Sequence, residues 1–198
     1  GSNLIIMDAI NFSYTSYISL PGNTNPIKIK FNEYNNYLYC LSKNKIWVVD
    51  PLINLLVTSI SLSNNAYDME INRLNGDIYI TFENSPTISV YDYTNSLATT
   101  ITTPSLTDTK TGKIIYNTYD QDMYVTTDGD SVIRINGDDR SIQTSYIITG
   151  LKTDTIYYEP ANEGIYVYGS SNLYKISKGV LTSITTGNRT SFSNILYN

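Results

Sequence analysis

The chain has 198 residues, of which 41% are hydrophobic and 16% are charged, and its formal net charge is −5. Thirteen basic residues face 18 acidic ones, which disfavours binding to nucleic acid or to an anionic membrane, because both gain affinity from clustered Lys and Arg. Histidine is absent from the sequence, which excludes Ser-His-Asp triads, His-ligated metal sites and imidazole catalysis. No segment approaches the roughly 20 apolar residues of a membrane span, so we expect no membrane insertion.

The N-terminus begins with Gly1-Ser2, which is typical of the remnant of a removed expression tag. We therefore expect one domain over residues 3–198. Ile5-Ile6-Met7-Asp8 then matches Trp47-Val48-Val49-Asp50 at an offset of 42 residues. Both segments have the apolar pattern of a strand.

A hydrophobic residue followed by tyrosine opens a predicted strand four times, at Leu38-Tyr39, Ile78-Tyr79, Met123-Tyr124 and Ile165-Tyr166. The steps between these tyrosines are 40, 45 and 42 residues, a period typical of four-stranded propeller blades. We expect the four tyrosines between adjacent blades or at blade edges. No segment has a sustained helical period, so the sequence predicts an all-β, five-bladed β-propeller of four-stranded antiparallel blades.

Each repeat contains further predicted strands around this signature. The first strands are predicted at residues 27–31, 67–71, 113–116 and 156–158. The third strands are predicted at residues 46–50, 88–92, 132–136 and 173–176. Asp8, Asp50 and Asp92 end third strands at equal spacing, and we expect each to accept hydrogen bonds from backbone amides of the next turn.

The C-terminal residues 194–198 match residues 113–117, which form a predicted first strand. A ring would then close through a fifth, terminal blade shared by N- and C-terminal strands. The second strand of that blade has no candidate. The blade is therefore incomplete, or a partner supplies its strand, or the chain is part of a longer protein.

Met123-Tyr124-Val125-Thr126-Thr127 resembles the Tyr-Val-Thr-Asn type of β-propeller repeat, and Leu38–Asp50 and Ile78–Asp92 resemble it over longer segments. Proteins with such repeats include microbial surface-layer proteins, secreted binding proteins and virion components. The resemblance implies a non-enzymatic binding or structural module of a virion, from a phage or large virus, or of a microbial cell surface. Its partner would be a protein or a surface glycan within a larger assembly.

Propeller modules offer a flat face where the loops that enter the first strands converge. We therefore expect binding residues in these loops, and no cofactor or metal. The predicted binding residues are Asn25, Tyr67, Asp68, Lys113, Asp154 and Ser193.

The enzymatic alternative is a glycosidase-like, carbohydrate-active enzyme, which needs two facing carboxyl groups about 5 to 10 Å apart. The candidates are Asp68 and Glu70, which share one face of a first strand, and Glu159 at the end of another. Lys28, Lys30 and Lys113 lie on neighbouring first strands. We expect ion pairing in the channel rather than catalysis.

Two further features have structural explanations. Cys40 is the single cysteine, so no internal disulfide can form, and its place in an alternating strand predicts a small buried hydrophobe. Asp128-Gly129-Asp130, with Asp138 and Asp139, lacks the spacing of a calcium loop. These residues lie where hairpin turns are expected.

Overall fold

The computed structural model describes residues 2–22, 25–170 and 172–184. These residues form 18 β-strands and one short 3-10 helix, Pro160–Asn162. The all-β prediction is therefore confirmed. None of the described residues belongs to a helix that is long and apolar enough to cross a bilayer.

The strands form five antiparallel sheets, four of them four-stranded, and in each of these four the strands pair in chain order. The first sheet contains β1 (Ser2–Met7) and β2 (Tyr14–Leu20). The second contains β3 (Lys28–Asn32), β4 (Tyr37–Ser42), β5 (Lys45–Asp50) and β6 (Leu55–Ser61). The third contains β7 (Ala66–Ile71), β8 (Ile78–Phe82), β9 (Thr87–Tyr91) and β10 (Leu97–Thr102). The fourth contains β11 (Thr111–Tyr116), β12 (Met123–Thr127), β13 (Ser131–Ile135) and β14 (Ile142–Ile147). The fifth contains β15 (Ile156–Glu159), β16 (Gly164–Tyr168), β17 (Leu173–Ser177) and β18 (Val180–Ile184).

The first strands of successive sheets lie side by side, since β3 contacts β7, β7 contacts β11 and β11 contacts β15. The sheets are therefore blades arranged around a channel that the first strands line, as a propeller requires. In the first sheet β1 and β2 take the third and fourth positions, because β2 contacts the outermost strand β6. This blade is incomplete in the described residues, and residues 194–198, expected to supply its first strand, lie outside them.

Hydrophobic cores lie between successive blades. Tyr39 and Tyr79 are fully buried and Tyr124 is 1% exposed. Tyr39 packs with Met69 of the next blade, Tyr79 with Met123 and Tyr124 with residues of the last blade. The predicted position between blades is confirmed for Tyr39, Tyr79 and Tyr124, whereas Tyr166 is only half-buried.

In three of the four repeats the residue four positions before the signature tyrosine forms a hydrogen bond with its hydroxyl. Tyr124 donates to Asp120 at 2.6 Å, and equivalent side chains bond Tyr39 and Tyr166. The fourth such residue, Asn75, instead donates to the carbonyl of Gly137 at 2.9 Å. The buried hydroxyl of Tyr79 therefore has no hydrogen-bond partner within the described residues.

Removing the two hydroxyls should have unequal effects on stability. Tyr124→Phe is expected to lower the free energy of unfolding by about 1.5–3 kcal/mol, because its hydroxyl binds a charged carboxylate. Tyr79→Phe should be neutral or stabilising by about 1 kcal/mol, because it removes a buried polar group that has no partner. Urea unfolding of both variants measures the difference, and equal losses would contradict this assignment.

Polar side chains close the turns after the third strands. Asp8 accepts from the amide of Ile10 at 2.8 Å, Asp50 from Leu52 at 2.8 Å and Asp92 from Thr94 at 2.9 Å. The predicted role of the three aspartates is confirmed. Asn136 bonds the amides of Asp138 and Asp139 in the same way in the next blade.

Cys40 lies in β4 and is fully buried. Burial raises the pKa of its thiol to about 11, which keeps it protonated and unreactive near neutral pH. The prediction of a small buried hydrophobe is confirmed.

Candidate functional site

A ladder of ion pairs joins two neighbouring first strands that line the channel. Lys28 Nζ lies 2.6 Å from Asp68 Oδ1, and Lys30 Nζ lies 2.7 Å from Glu70 Oε2. Residues two apart on a strand share a face, so the two lysines of β3 meet the two carboxylates of β7. The predicted shared face of Asp68 and Glu70, and their pairing with lysine, are confirmed.

Asp68 joins three blades. It is 1% exposed, and its Oδ2 accepts from the amide of Ile114 on β11 at 3.1 Å and lies 4.0 Å from Lys113 Nζ. Its Oδ1 accepts from Lys28 on β3. A buried carboxylate with several charged and amide donors fixes the relative position of the strands that supply them.

Four of the six predicted binding residues lie together. The Lys113 ammonium lies 5.8 Å from the Tyr67 ring centroid. Burial raises the pKa of Tyr67, and the nearby charges of Asp154 and Asp68 raise it further, while a hydrogen bond with Thr153 opposes them. Tyr67, Asp68, Lys113 and Asp154 therefore form one polar cluster where the first strands begin.

Their placement in loops is correct only in part. Tyr67 and Asp68 lie within β7 and Lys113 lies within β11, as the predicted first strands at residues 67–71 and 113–116 already implied, so these three residues belong to strands and not to the preceding loops. Asn25 is exposed in the segment before β3. Ser193 lies outside the described residues.

The third catalytic candidate has a structural contact of its own. Glu159 ends β15 and caps the 3-10 helix that follows, by accepting a hydrogen bond from the amide of Ala161 at 3.0 Å. Together with the lysine pairs of Asp68 and Glu70, this gives each of the three carboxylates a bonded partner.

A cleft of about 330 Å³ lies at the opposite end of the channel, where the first strands finish. Tyr116 at the end of β11, and Tyr157 and Tyr158 in β15, line it with Arg73, which follows β7. The sequence did not predict this cleft, because the predicted site lay in the loops that precede the first strands. The available signal was the recurrence of tyrosine near the ends of two first strands.

Arg73 gives this cleft its charge. Its side chain is exposed, and it forms no ion pair with any residue in the described part of the chain, whereas Lys30 in the same cleft is paired with Glu70. Burial raises the pKa of Tyr116, and the positive charge of Arg73 opposes that change. The hydroxyls of Thr118 and Tyr158 bond each other at 2.9 Å. The cleft thus combines aromatic walls, hydroxyl groups and one free cation.

The carboxylates of the acidic loops accept hydrogen bonds from the segment before β11 in the case of Asp128 and from their own turn in the case of Asp139. Asp128 accepts from the amides of Thr109 and Lys110 at 2.9 and 3.1 Å, and Asp139 accepts from Ser141 at 2.9 Å. Across residues 2–22, 25–170 and 172–184, no group of three or more acidic or cysteine side chains is arranged to hold a metal ion.

No protein-family model and no curated protein matches the sequence. The fold is nevertheless similar to solved structures. The dihydro-haem d1 dehydrogenase NirN in complex with DHE aligns with a TM-score of 0.76 at 12% identity, over 93% of this chain and 42% of that protein.

Two further structures are similar. U3-55K aligns with a TM-score of 0.65 at 11% identity, over 84% of this chain and 53% of that protein. The β-propeller domain of Myceliophteria thermophila Cps50 (Swd1) aligns with a TM-score of 0.61 at 9% identity, over 82% of this chain and 56% of that one. The chain spans about half the length of the structures that it resembles. At these identities the likeness concerns the fold alone, and together with the order of the blades it establishes a β-propeller.

Proposed function

We propose that this chain is a non-enzymatic binding module that holds a protein partner in the cleft where the first strands finish. The observation that carries the proposal is the position of unpaired Arg73 beside Tyr116, Tyr157 and Tyr158 in a cleft of about 330 Å³. Tyr and Arg dominate the energetics of protein interfaces, and a guanidinium binds carboxylates well. The fitting partner element is an acidic side chain flanked by apolar residues.

We place this module on a virion, of a phage or large virus, or on a microbial cell surface, as part of a larger assembly. The resemblance of its repeats to the Tyr-Val-Thr-Asn type supports that location. A charged fraction of only 16% and 19 tyrosines suit a surface that makes many adaptable contacts, because tyrosine combines a large apolar ring with a polar hydroxyl.

A surface glycan is the second candidate partner. Tyr157 and Tyr158 are partly exposed in the cleft, and aromatic rings with one exposed face stack on sugar rings. The hydroxyl pair of Thr118 and Tyr158 would supply hydrogen bonds to sugar hydroxyls.

Ion pairing argues against the glycosidase-like alternative. Retaining and inverting glycosidases need one carboxylic acid and one free carboxylate with separated pKa values. Asp68 and Glu70 are instead held by Lys28 and Lys30 at 2.6 and 2.7 Å. Both side chains are therefore engaged by lysines of the neighbouring first strand.

Selection of a random peptide library on the immobilised chain tests the protein proposal. We expect enriched peptides to contain Asp or Glu next to apolar residues, and Arg73→Glu or Tyr157→Ser to abolish their capture. The matched controls are Lys152→Glu and Tyr14→Ser, which change exposed residues outside the cleft. Undiminished capture of the enriched peptides by Arg73→Glu and Tyr157→Ser would contradict the proposal. A glycan array probed with the same proteins tests the second candidate.

A further inference from the structure

One edge of strand β1 is unpaired within residues 2–22, 25–170 and 172–184. Its partner in the described residues is β2, from Ser2 opposite Leu20 to Met7 opposite Tyr14, whereas the third strands of the other four blades are bonded on both sides. The edge strand has the sequence Ser-Asn-Leu-Ile-Ile-Met, without the charges or proline that usually protect such edges. Among the described strands, this row of backbone donors and acceptors therefore has no partner.

An apolar groove of about 360 Å³ runs beside this edge. Leu4 and Ile6 of β1 line one side, and Ile29 and Leu38 of the next blade line the other. Around the groove, Ile5 is 66% exposed, Met7 53% and Ile29 50%. An apolar surface of this kind marks an interaction site.

The other blades show what normally covers this surface. Ile29 pairs with Cys40 just as Met69 pairs with Ile80, so the two residues are equivalent. Met69 is fully buried, whereas Ile29 is 50% exposed. The same contrast holds two residues further along each strand, where Phe31 is 46% exposed and Ile71 is 4% exposed.

Met69 is covered by the second and third strands of the preceding blade, which contribute Tyr39 and Leu41 from β4 and Ile46 and Val48 from β5. For Ile29 the equivalent third strand is β1, which is present. The missing cover is therefore a second strand carrying a tyrosine and an aliphatic residue at alternate positions. The described residues contain no strand at that position.

We propose that the free edge of β1 and the adjoining groove bind an extended segment of a partner polypeptide. The segment adds to β1 as an antiparallel strand, and its alternate tyrosine and aliphatic side chains cover Ile29 and Phe31. Main-chain hydrogen bonds to the edge provide affinity, and the apolar groove provides specificity, as in other cases of strand addition. This site is separate from the cleft at the channel.

Binding of a synthetic peptide tests the proposal. The probe has the sequence of residues 36–43 with the substitution Cys40→Ser, and the control peptide also carries Tyr39→Ser and Leu41→Ser. We expect the probe to bind the full chain saturably by fluorescence anisotropy. In ¹⁵N-labelled protein it should slow amide exchange in β1.

Ile29→Asp should weaken binding of the probe by about tenfold or more, because it places a charge in the groove. Ile147→Asp is the matched control, since Ile147 is 67% exposed and lies on β14, away from the groove. It should leave the affinity within about twofold, a change of under ~0.5 kcal/mol. Failure of the probe to bind the full chain, equal binding to Ile29→Asp, or equal binding of the control peptide would each overturn the proposal.

Discussion

Asp68→Ala is expected to lower the free energy of unfolding by about 3 kcal/mol, at the lower end for breaking a buried ion pair. The Asp68 side chain is 2% exposed, and its partner Lys28 is 24% exposed, so part of the ammonium remains solvated after the change. The substitution also removes the acceptor for the amide of Ile114 at 3.1 Å. That buried amide then has no partner, which adds to the loss.

Glu83→Ala is the matched control, because Lys43 and Glu83 are also 40 residues apart and also join the second and third blades. Their side chains are 60% and 32% exposed, and an exposed pair of this kind contributes under about 1 kcal/mol. Urea unfolding of both variants at equal ionic strength gives the comparison. Losses that agree within error would show that burial does not decide the strength of these pairs.

Asp68→Asn separates charge from hydrogen bonding. The amide oxygen of asparagine can still accept from Ile114, so this variant should lose less stability than Asp68→Ala. An equal loss in the two variants would assign the whole effect to the charge.

The repeat explains why most of the fold could be predicted. The recurring signature identifies equivalent positions, so the burial of Tyr39, Tyr79 and Tyr124 and the turn role of Asp50 could be inferred by comparing the repeats. Alternation on the first strands likewise placed Asp68 and Glu70 on one face, beside the lysines of neighbouring first strands. Each of these predictions depends on the blade repeat or on the two-residue alternation of a strand, and both can be read directly from the sequence.

Differences between equivalent positions could not be predicted in this way. Asn75 and Asp120 are equivalent, yet Asn75 bonds Gly137 and the Tyr79 hydroxyl has no partner among the described residues, because a turn from another blade competes for the Asn75 amide. The cleft was missed for a similar reason. Arg73 and Tyr157 belong to different repeats, and only the curvature of the blades brings them together.

Met69→Ala and Ile29→Ala replace equivalent residues and should have very different effects. Met69 is fully buried in the core between two complete blades, so its truncation should lower the free energy of unfolding by about 2–5 kcal/mol. Ile29 is 50% exposed, and its truncation removes little buried area, so the expected loss is under about 1 kcal/mol. Thermal and urea unfolding of the two variants measure both losses.

Ile29→Ala also reports on what covers the groove in solution. If β1 keeps a free edge, the loss in this variant stays small for the chain alone and grows when the peptide probe is bound, because the ligand then contacts Ile29 in the folded state only. A loss as large as that of Met69→Ala without any added peptide would mean that the groove is already covered by the chain itself. Another segment of the same chain would then pair with the edge of β1 in the folded blade, and the partner-strand proposal would be wrong.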